Sequence, residues 1–475
     1  MTSHIAAVSA ERFPLTTRAY DQSDPSSIEW FGQRLVGSTL RKTPGVREIP
    51  NEYLDDMPGI RTKGYFGTIV ERYYYGITPG NQPCSPDFKD AGVELKTNAL
   101  EKRKKGVSAK ERLVLQMIDY NDIVNESFES SCFMIKSRLM MLISNMFQRD
   151  GNLVDAKIVL ARLVDFDQLP TTDQQIIQED WMTIAEKVRD GQAHQLSGSD
   201  TTYLEACTKG IDGSRRVAQP NGDELAKPRA FALKSGYVTS LVRGYIEDDE
   251  QFAITDAATI ENNGFERTII ERFTPFLGLT VKQIEEQLEL SLKGSSKGYR
   301  ATLARRMLGV TTSKIAEFDR AGISLKTILI DEDGRPPESM SFPIFRYMGP
   351  GSIIEENWDG DQDDDMPEIK RLFEETRFLF AVYKKDKEAT RFIKVLFWSM
   401  PKDDIEDFVR PVWSQTSIAI QEGSLPDLPQ SSFNRVCHVR PHARNREDTL
   451  PTPHNGKQVK KCFWLDRRYI QSQIA

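Results

Sequence analysis

KGYFGTIVERYYYGITPGNQPCSPDFKDAGVELKTN, residues 63–98, reads as a helix, a loop and a strand. Near its end Val93 and Leu95 alternate with Glu94 and Lys96. A strand's period of two puts the apolar pair on one face and the charged pair on the other. Glu94 and Lys96 therefore point the same way, and Asp87, at the turn SPDF just ahead, is expected to bring its carboxylate to that of Glu94. Two acidic oxygens beside a lysine suit a divalent cation that keeps several of its own waters, as Mg2+ does beside phosphates. The pattern D-x6-E-x-K is weak on its own, because an acid and a lysine also alternate on the solvated face of many strands.

At 475 residues with 39% apolar content, the chain is long for one domain and comfortable for two. A formal net charge of −7 excludes a globally basic nucleic-acid binder. Any contact with phosphates must come from a local basic cleft, within a Debye length of about 8 Å. The five cysteines, Cys84, Cys132, Cys207, Cys437 and Cys462, show no C-x-x-C pair. Neither a zinc site nor a disulfide framework is expected from them, and reduced thiols fit a cytoplasmic protein. No apolar stretch approaches the roughly 18 residues of a membrane span, and the N-terminus lacks a basic-then-apolar signal segment. A soluble protein with no membrane partner is expected.

DQSDPSS predicts a cap for a helix over IEWFGQRLVGSTL. The cluster Lys102, Arg103, Lys104, Lys105 and Lys110 reads as a basic hairpin tip. RLVLQMIDY, RLMMLISNMF and KIVLARLVDF read as further strands of one sheet. TTDQQIIQEDWMTIAEKVRDG predicts a packing helix with Ile176, Ile177, Trp181 and Ile184 inward, stopping at Gly191. After it come the polar loop ACTKGIDGSRR and a strand entering a helix in FALKSGYVTSLVRGY. The acidic run WDGDQDDDMPE lacks the spacing of a calcium loop and reads as solvated.

The second half echoes the first. IAEFDRAGISLKTI, residues 315–328, aligns without a gap on SPDFKDAGVELKTN, KGYRATLARRML aligns on KGYFGTIVERYY, and FWLDRRYIQSQI answers FALKSGYVTSLV in the same order. Duplication explains three ordered echoes. In the second copy Glu71 becomes Arg305, Asp87 becomes Glu317 and Glu94 becomes Ser324, while Lys96 persists as Lys326. A cation is disfavoured there by loss of the strand acid and by the arginine's charge.

KGYFGTIVERYYYG followed by DFKDAGVELKT resembles the MutH family of DNA endonucleases, and SAKERLVL, CTKG, FALKSGYVTS and CHVRPHARNR resemble its larger members, the restriction enzymes that cut at GATC. The resemblance implies an α/β protein of two tandem restriction-endonuclease-like domains of the PD-(D/E)xK type, each a mixed central sheet flanked by helices, the second catalytically degenerate. The expected boundaries are 1–248 for the nuclease, 249–262 for a linker and 263–475 for a DNA-binding effector domain.

For the site, the resemblance implies catalysis by Asp87, Glu94 and Lys96 with Glu71 and Lys136, Asp87 and Glu94 holding Mg2+. It implies DNA contacts from Lys209, Lys234 and Arg215, and from Arg440 and His442 in the second copy. The implied partner is double-stranded DNA in two copies of the site, bound by a monomer that pairs on DNA, with a separate cognate methyltransferase. Two departures stand out: Cys207 replaces an arginine of the mismatch-repair members, and Ala232 replaces a tyrosine implicated there in sensing adenine methylation. Ala232 is expected to leave room for an N6-methyl group. The alternatives are a methyl-directed strand-nicking repair enzyme and a non-catalytic DNA-binding protein.

Overall fold

Alternating apolar residues in ELKTNALEKR and a nearly continuous apolar run in LMMLISNM build the sheet that carries the candidate site. The computed structural model describes residues 20–43, 65–77, 84–103, 106–148, 152–209, 215–246, 264–292, 298–310, 315–359 and 366–475. Lys63, Lys104, Lys105, the expected linker 249–262 and most of the acidic run lie outside the described residues. The chain divides into two units, one of Met1–Met117, Glu126–Pro170 and Val238–Asp249, the other of Ile118–Asn125, Thr171–Tyr237 and Glu250–Ala475.

The first unit holds a four-stranded mixed sheet in the order Gly106–Ala109, Glu94–Arg103, Leu139–Met146, Ile158–Asp165. Glu94–Arg103 runs antiparallel to Gly106–Ala109, as the expected hairpin, and parallel to Leu139–Met146, with Glu94 opposite Met140 and Lys96 opposite Leu142. Ile158–Asp165 closes it antiparallel. Leu113–Met117, expected in the same sheet, is a strand outside it. Asp24 caps the helix Pro25–Gln33 by accepting from the Ser26 N–H. That helix, with Phe66, Ile69, Val70 and Tyr75, packs on Val93, Leu95, Met141 and Ile143 in one apolar cluster. The inward face expected of the strand is thus the core face.

In the second unit the helix Thr171–Arg189 buries Ile176, Ile177, Trp181 and Ile184 as its period demands, and Gly191 follows it at φ +71. Its Asp180 is buried too, and accepts from the backbone N–H groups of Thr202, Tyr203 and Leu204 at 2.6, 2.6 and 2.8 Å. Those bonds set the start of Leu204–Thr208, which pairs antiparallel with Arg229–Leu233. Farther along, Ile323–Ile330 runs parallel to Arg377–Lys385, with Ser324 opposite Phe378 and Lys326 opposite Phe380, and Thr390–Trp398 closes that sheet antiparallel.

The parallel-then-antiparallel order and the place of the lysine match those of the first sheet. The glycines before the two strands match as well, Gly92 at φ +67 and Gly322 at φ +65, a left-handed conformation that favours glycine. Lys461–Leu465 entering the helix Arg467–Ile474 repeats the pattern of Arg229–Leu233 entering Ser235–Ile246.

Candidate active site

Four side chains meet at the start of the strand Glu94–Arg103. The tight turn between Phe88 and Val93, which bridge antiparallel, folds Asp87 back so that its carboxylate accepts from the Leu95 N–H at 2.9 Å. Glu94 and Lys96 share a face, as the period of two requires, and the Lys96 ammonium lies 2.8 Å from Glu94 Oε1. Lys96 also donates to the Leu115 carbonyl at 2.8 Å, which fixes its orientation. Lys136, from the helix Cys132–Ser137, reaches the same Glu94 oxygen at 3.1 Å.

The solvated-face reading fails at Glu94, which is 3% exposed. A carboxylate is rarely buried unless paired, and this one is paired with two lysines through a single oxygen. Its other oxygen, Oε2, is buried with no hydrogen-bond partner. An acceptor left open in that way is where a bound cation would sit.

Glu71 completes the group from the helix ahead. Tyr65–Ile69 continues into a π-type turn, Val70–Tyr75, that buries Tyr74 and Tyr75 in the core and leaves Glu71 half-buried on the side of the acids. Burial, then the Asp87 carboxylate, raises the pKa of Glu71, and Lys96 offsets part of the effect. Asp87 is raised by burial and then by Glu94, with Lys96 and Lys136 opposing. Carboxylates raised first by burial and then by one another are acids whose like charges repel. Among the described residues no three histidine, cysteine or acidic side chains converge as a ready metal cage. Two carboxylates beside two lysines suit a divalent cation that keeps several of its own waters better than a closed protein cage.

One expectation is corrected beside this site: Cys84 and Cys132 form a disulfide, with Cα atoms 4.8 Å apart. They are 48 residues apart, and nothing in their spacing signals the pairing. The link joins the segment that leads into Asp87 to the first turn of the helix that carries Lys136. Cys207, Cys437 and Cys462 are buried and stand outside any disulfide.

The DNA-contact candidates separate. Lys209 is half-buried just past the strand Leu204–Thr208, its N–H bonded to the Pro228 carbonyl, and Arg215 is exposed. Arg440 and His442 are exposed at the end of Cys437–Pro441, both against the Trp464 ring. Lys234 is corrected: it is 5% exposed, with its ammonium donating to the carbonyls of Thr201 and Ala321. Burial holds its pKa down, and the side chain is an internal strut that faces no open surface. Ala232 is wholly buried in Arg229–Leu233, opposite Glu205, so it does not form the wall of an open base pocket. Sequence reasoning missed Asp173 and Asp180 by reading their helix as packing alone; the signal available was an acid on its apolar face, at the same spacing as Ile176 and Ile184.

The DNA mismatch repair enzyme MutH model matches residues 75–180, the span that holds Asp87, Glu94, Lys96 and Lys136. The type II restriction enzyme Sau3AI of Staphylococcus aureus is 32% identical over 434 residues, 82% of this chain and 88% of that protein. The DNA mismatch repair proteins MutH of Shewanella woodyi and Shewanella amazonensis are 29% and 26% identical, each over 38% of this chain and over 77% and 80% of their own lengths. No helix among the described residues is long and apolar enough to cross a membrane. With a relative matched across most of both chains, and with the MutH model lying on the carboxylate–lysine cluster, this chain belongs to the MutH-like restriction endonucleases.

Proposed function

We propose that the chain is a type II restriction endonuclease that makes Mg2+-dependent double-strand cuts in DNA at GATC. The observation that carries this reading is the buried Glu94, whose Oε2 lacks a partner while Lys96 and Lys136 both hold its Oε1 and Asp87 is turned back onto the Leu95 N–H of the same strand. Asp87 and Glu94 would hold the ion. Mg2+ bound there would supply Lewis-acid polarisation of a phosphate oxygen and a lowered pKa for water. Lys96, held by the Leu115 carbonyl, orients the attacking water and stabilises the charge that builds on the phosphate. Lys136, paired with the same Glu94 oxygen, offers a second cation to the scissile phosphate. Glu71 keeps the site acidic and orients Lys96 through its charge.

Lys209 and Arg215 are assigned to the DNA surface next to the strand Leu204–Thr208, Lys209 toward base edges. Residues 263–475 are assigned as a second, non-catalytic copy of the nuclease fold, joined to residues 1–248 by a linker at 249–262. The matching strand order and the matching Gly92 and Gly322 support that assignment. Arg440 and His442 would bind a second copy of the recognition site as effector, with the protein a cytoplasmic monomer that pairs on DNA and a separate methyltransferase protecting the host.

Digestion of a sequenced plasmid with Mg2+ or EDTA, followed by mapping of the fragment ends, tests the reading. Ends at every GATC in Mg2+ and none in EDTA are expected. Nicked circles alone would point to a strand-nicking repair enzyme, and retarded but intact DNA to a binding protein.

A further inference from the structure

The segment that repeats the catalytic turn does something in the second unit that its counterpart does not. Asp90 is exposed, whereas the aligned Arg320, at the end of the short helix Ala316–Ala321, is half-buried and meets both oxygens of Asp173 at 3.1 and 3.4 Å. Asp173 is 5% exposed and also accepts from the Tyr237 hydroxyl at 3.1 Å. Close by, the Lys234 ammonium donates to the Ala321 carbonyl at 3.4 Å, and a Cβ on Gly236 would lie 2.1 Å from the Asp319 carbonyl oxygen. Residues 319–321 are thus docked against the base of the region that carries Lys209.

From Asp173 the path to Lys209 is made of stiff parts. Asp173 and Asp180 lie seven residues apart on one helix, about two turns and about 10 Å, and so on nearly the same face. Asp180 binds the three N–H groups of residues 202–204, charge-assisted bonds that seat the strand Leu204–Thr208 and with it Lys209. A second route runs through Tyr237, whose ring stacks on Tyr203 at 4.7 Å between centroids.

We propose that Arg320 is a positioning residue for DNA reading: through Asp173 it transmits effector-DNA binding by the C-terminal region to the strand that presents Lys209. The vestigial metal turn has become a coupling element, an arginine aimed at the reading region standing where the first copy has the exposed Asp90. This inference rests on the effector reading above. Coupling of this kind amounts to a difference in reading-strand placement between two states of one packed contact, and it changes the response to effector DNA without touching the reacting atoms.

The test uses the full chain, a plasmid with one GATC and a short duplex carrying GATC added in trans, with a scrambled duplex as control. Wild type is expected to be stimulated by the cognate duplex. In Arg320→Ala the stimulation should fall by about fivefold or more while unstimulated cleavage stays within about twofold, and Arg320→Lys should recover part of it. Because stripping one partner from a buried ion pair can unfold a protein, the doubly neutral Asp173→Asn/Arg320→Gln variant is assayed beside it, with Tm recorded for each. Stimulation lost in both at wild-type Tm supports the coupling. Stimulation retained in either folded variant, or lost only in proportion to Tm, overturns it while leaving the effector reading intact. A wild type that ignores the cognate duplex overturns both.

Discussion

Lys96 and Lys326 occupy the same register in the same strand pattern and sit in opposite electrostatic surroundings. Lys96 has a carboxylate oxygen at 2.8 Å and a carbonyl at 2.8 Å. Lys326 follows Ser324 where the first sheet has an acid, its ammonium is 5.7 Å from the Phe342 ring centroid, and burial alone pulls its pKa down. The backbone pattern is shared; the charge cluster is not. A retained lysine therefore says little about chemistry. The acid two residues before it decides whether the lysine belongs to a charge cluster or is a half-buried amine without a carboxylate beside it on the strand.

The largest effect should separate the two strands outright. Glu94→Gln keeps the shape and removes the charge, and cleavage should fall about a thousandfold in a plasmid assay. Ser324→Ala, at the matching place, should leave the rate within about twofold. Comparable losses in both would mean that the second strand takes part in the chemistry.

A smaller contrast concerns the lysines themselves. Lys96→Met should slow cleavage about a hundredfold. Lys326→Met should leave cleavage unchanged and raise Tm, because it removes a half-buried charge disfavoured by desolvation. A lower Tm for Lys326→Met would show that its amine is better satisfied than its neighbours imply.

The smallest effect is a pH dependence of stability confined to the first strand's surroundings. Glu71 and Asp87 have raised pKa values, so without metal the folded protein keeps their protons longer than the unfolded chain does. Metal-free stability should then fall as pH climbs from the ordinary carboxylate range, about 4, through the raised values. In thermal unfolding from acid to neutral pH, EDTA samples should lose a few degrees (~2–4 °C), Mg2+ should restore them, and Asp87→Asn should flatten the curve. A curve in EDTA that rises with pH would reverse the assignment of the two acids.

Much of this arrangement was legible in the sequence because a strand's period is short and rigid. Val93 and Leu95 inward with Glu94 and Lys96 together follows from alternation alone, while the helix Thr171–Arg189 and its stop at Gly191 follow from the 3.6-residue spacing of its apolar side chains and the glycine. What covers a face is not local information. The burial of Glu94 depends on Lys136 and the turn at Asp87, contributed by separate segments, so alternation could not distinguish a wet face from a sealed one. Lys234 reads as a surface cation because lysines usually are, and only the carbonyls of Thr201 and Ala321 explain its place inside. Asp173 and Asp180 were hidden for the complementary reason, being acids whose partners lie on other segments.

The link between Cys84 and Cys132 bears on how the candidate site is held together. It closes a covalent ring that contains Asp87, Glu94 and Lys96 and ends one helical turn before Lys136. A chain cut anywhere inside that ring stays one molecule while the bond is oxidised and separates into two pieces only once it is reduced. Survival of the scissors after proteolytic damage thereby becomes a matter of the thiol balance around them.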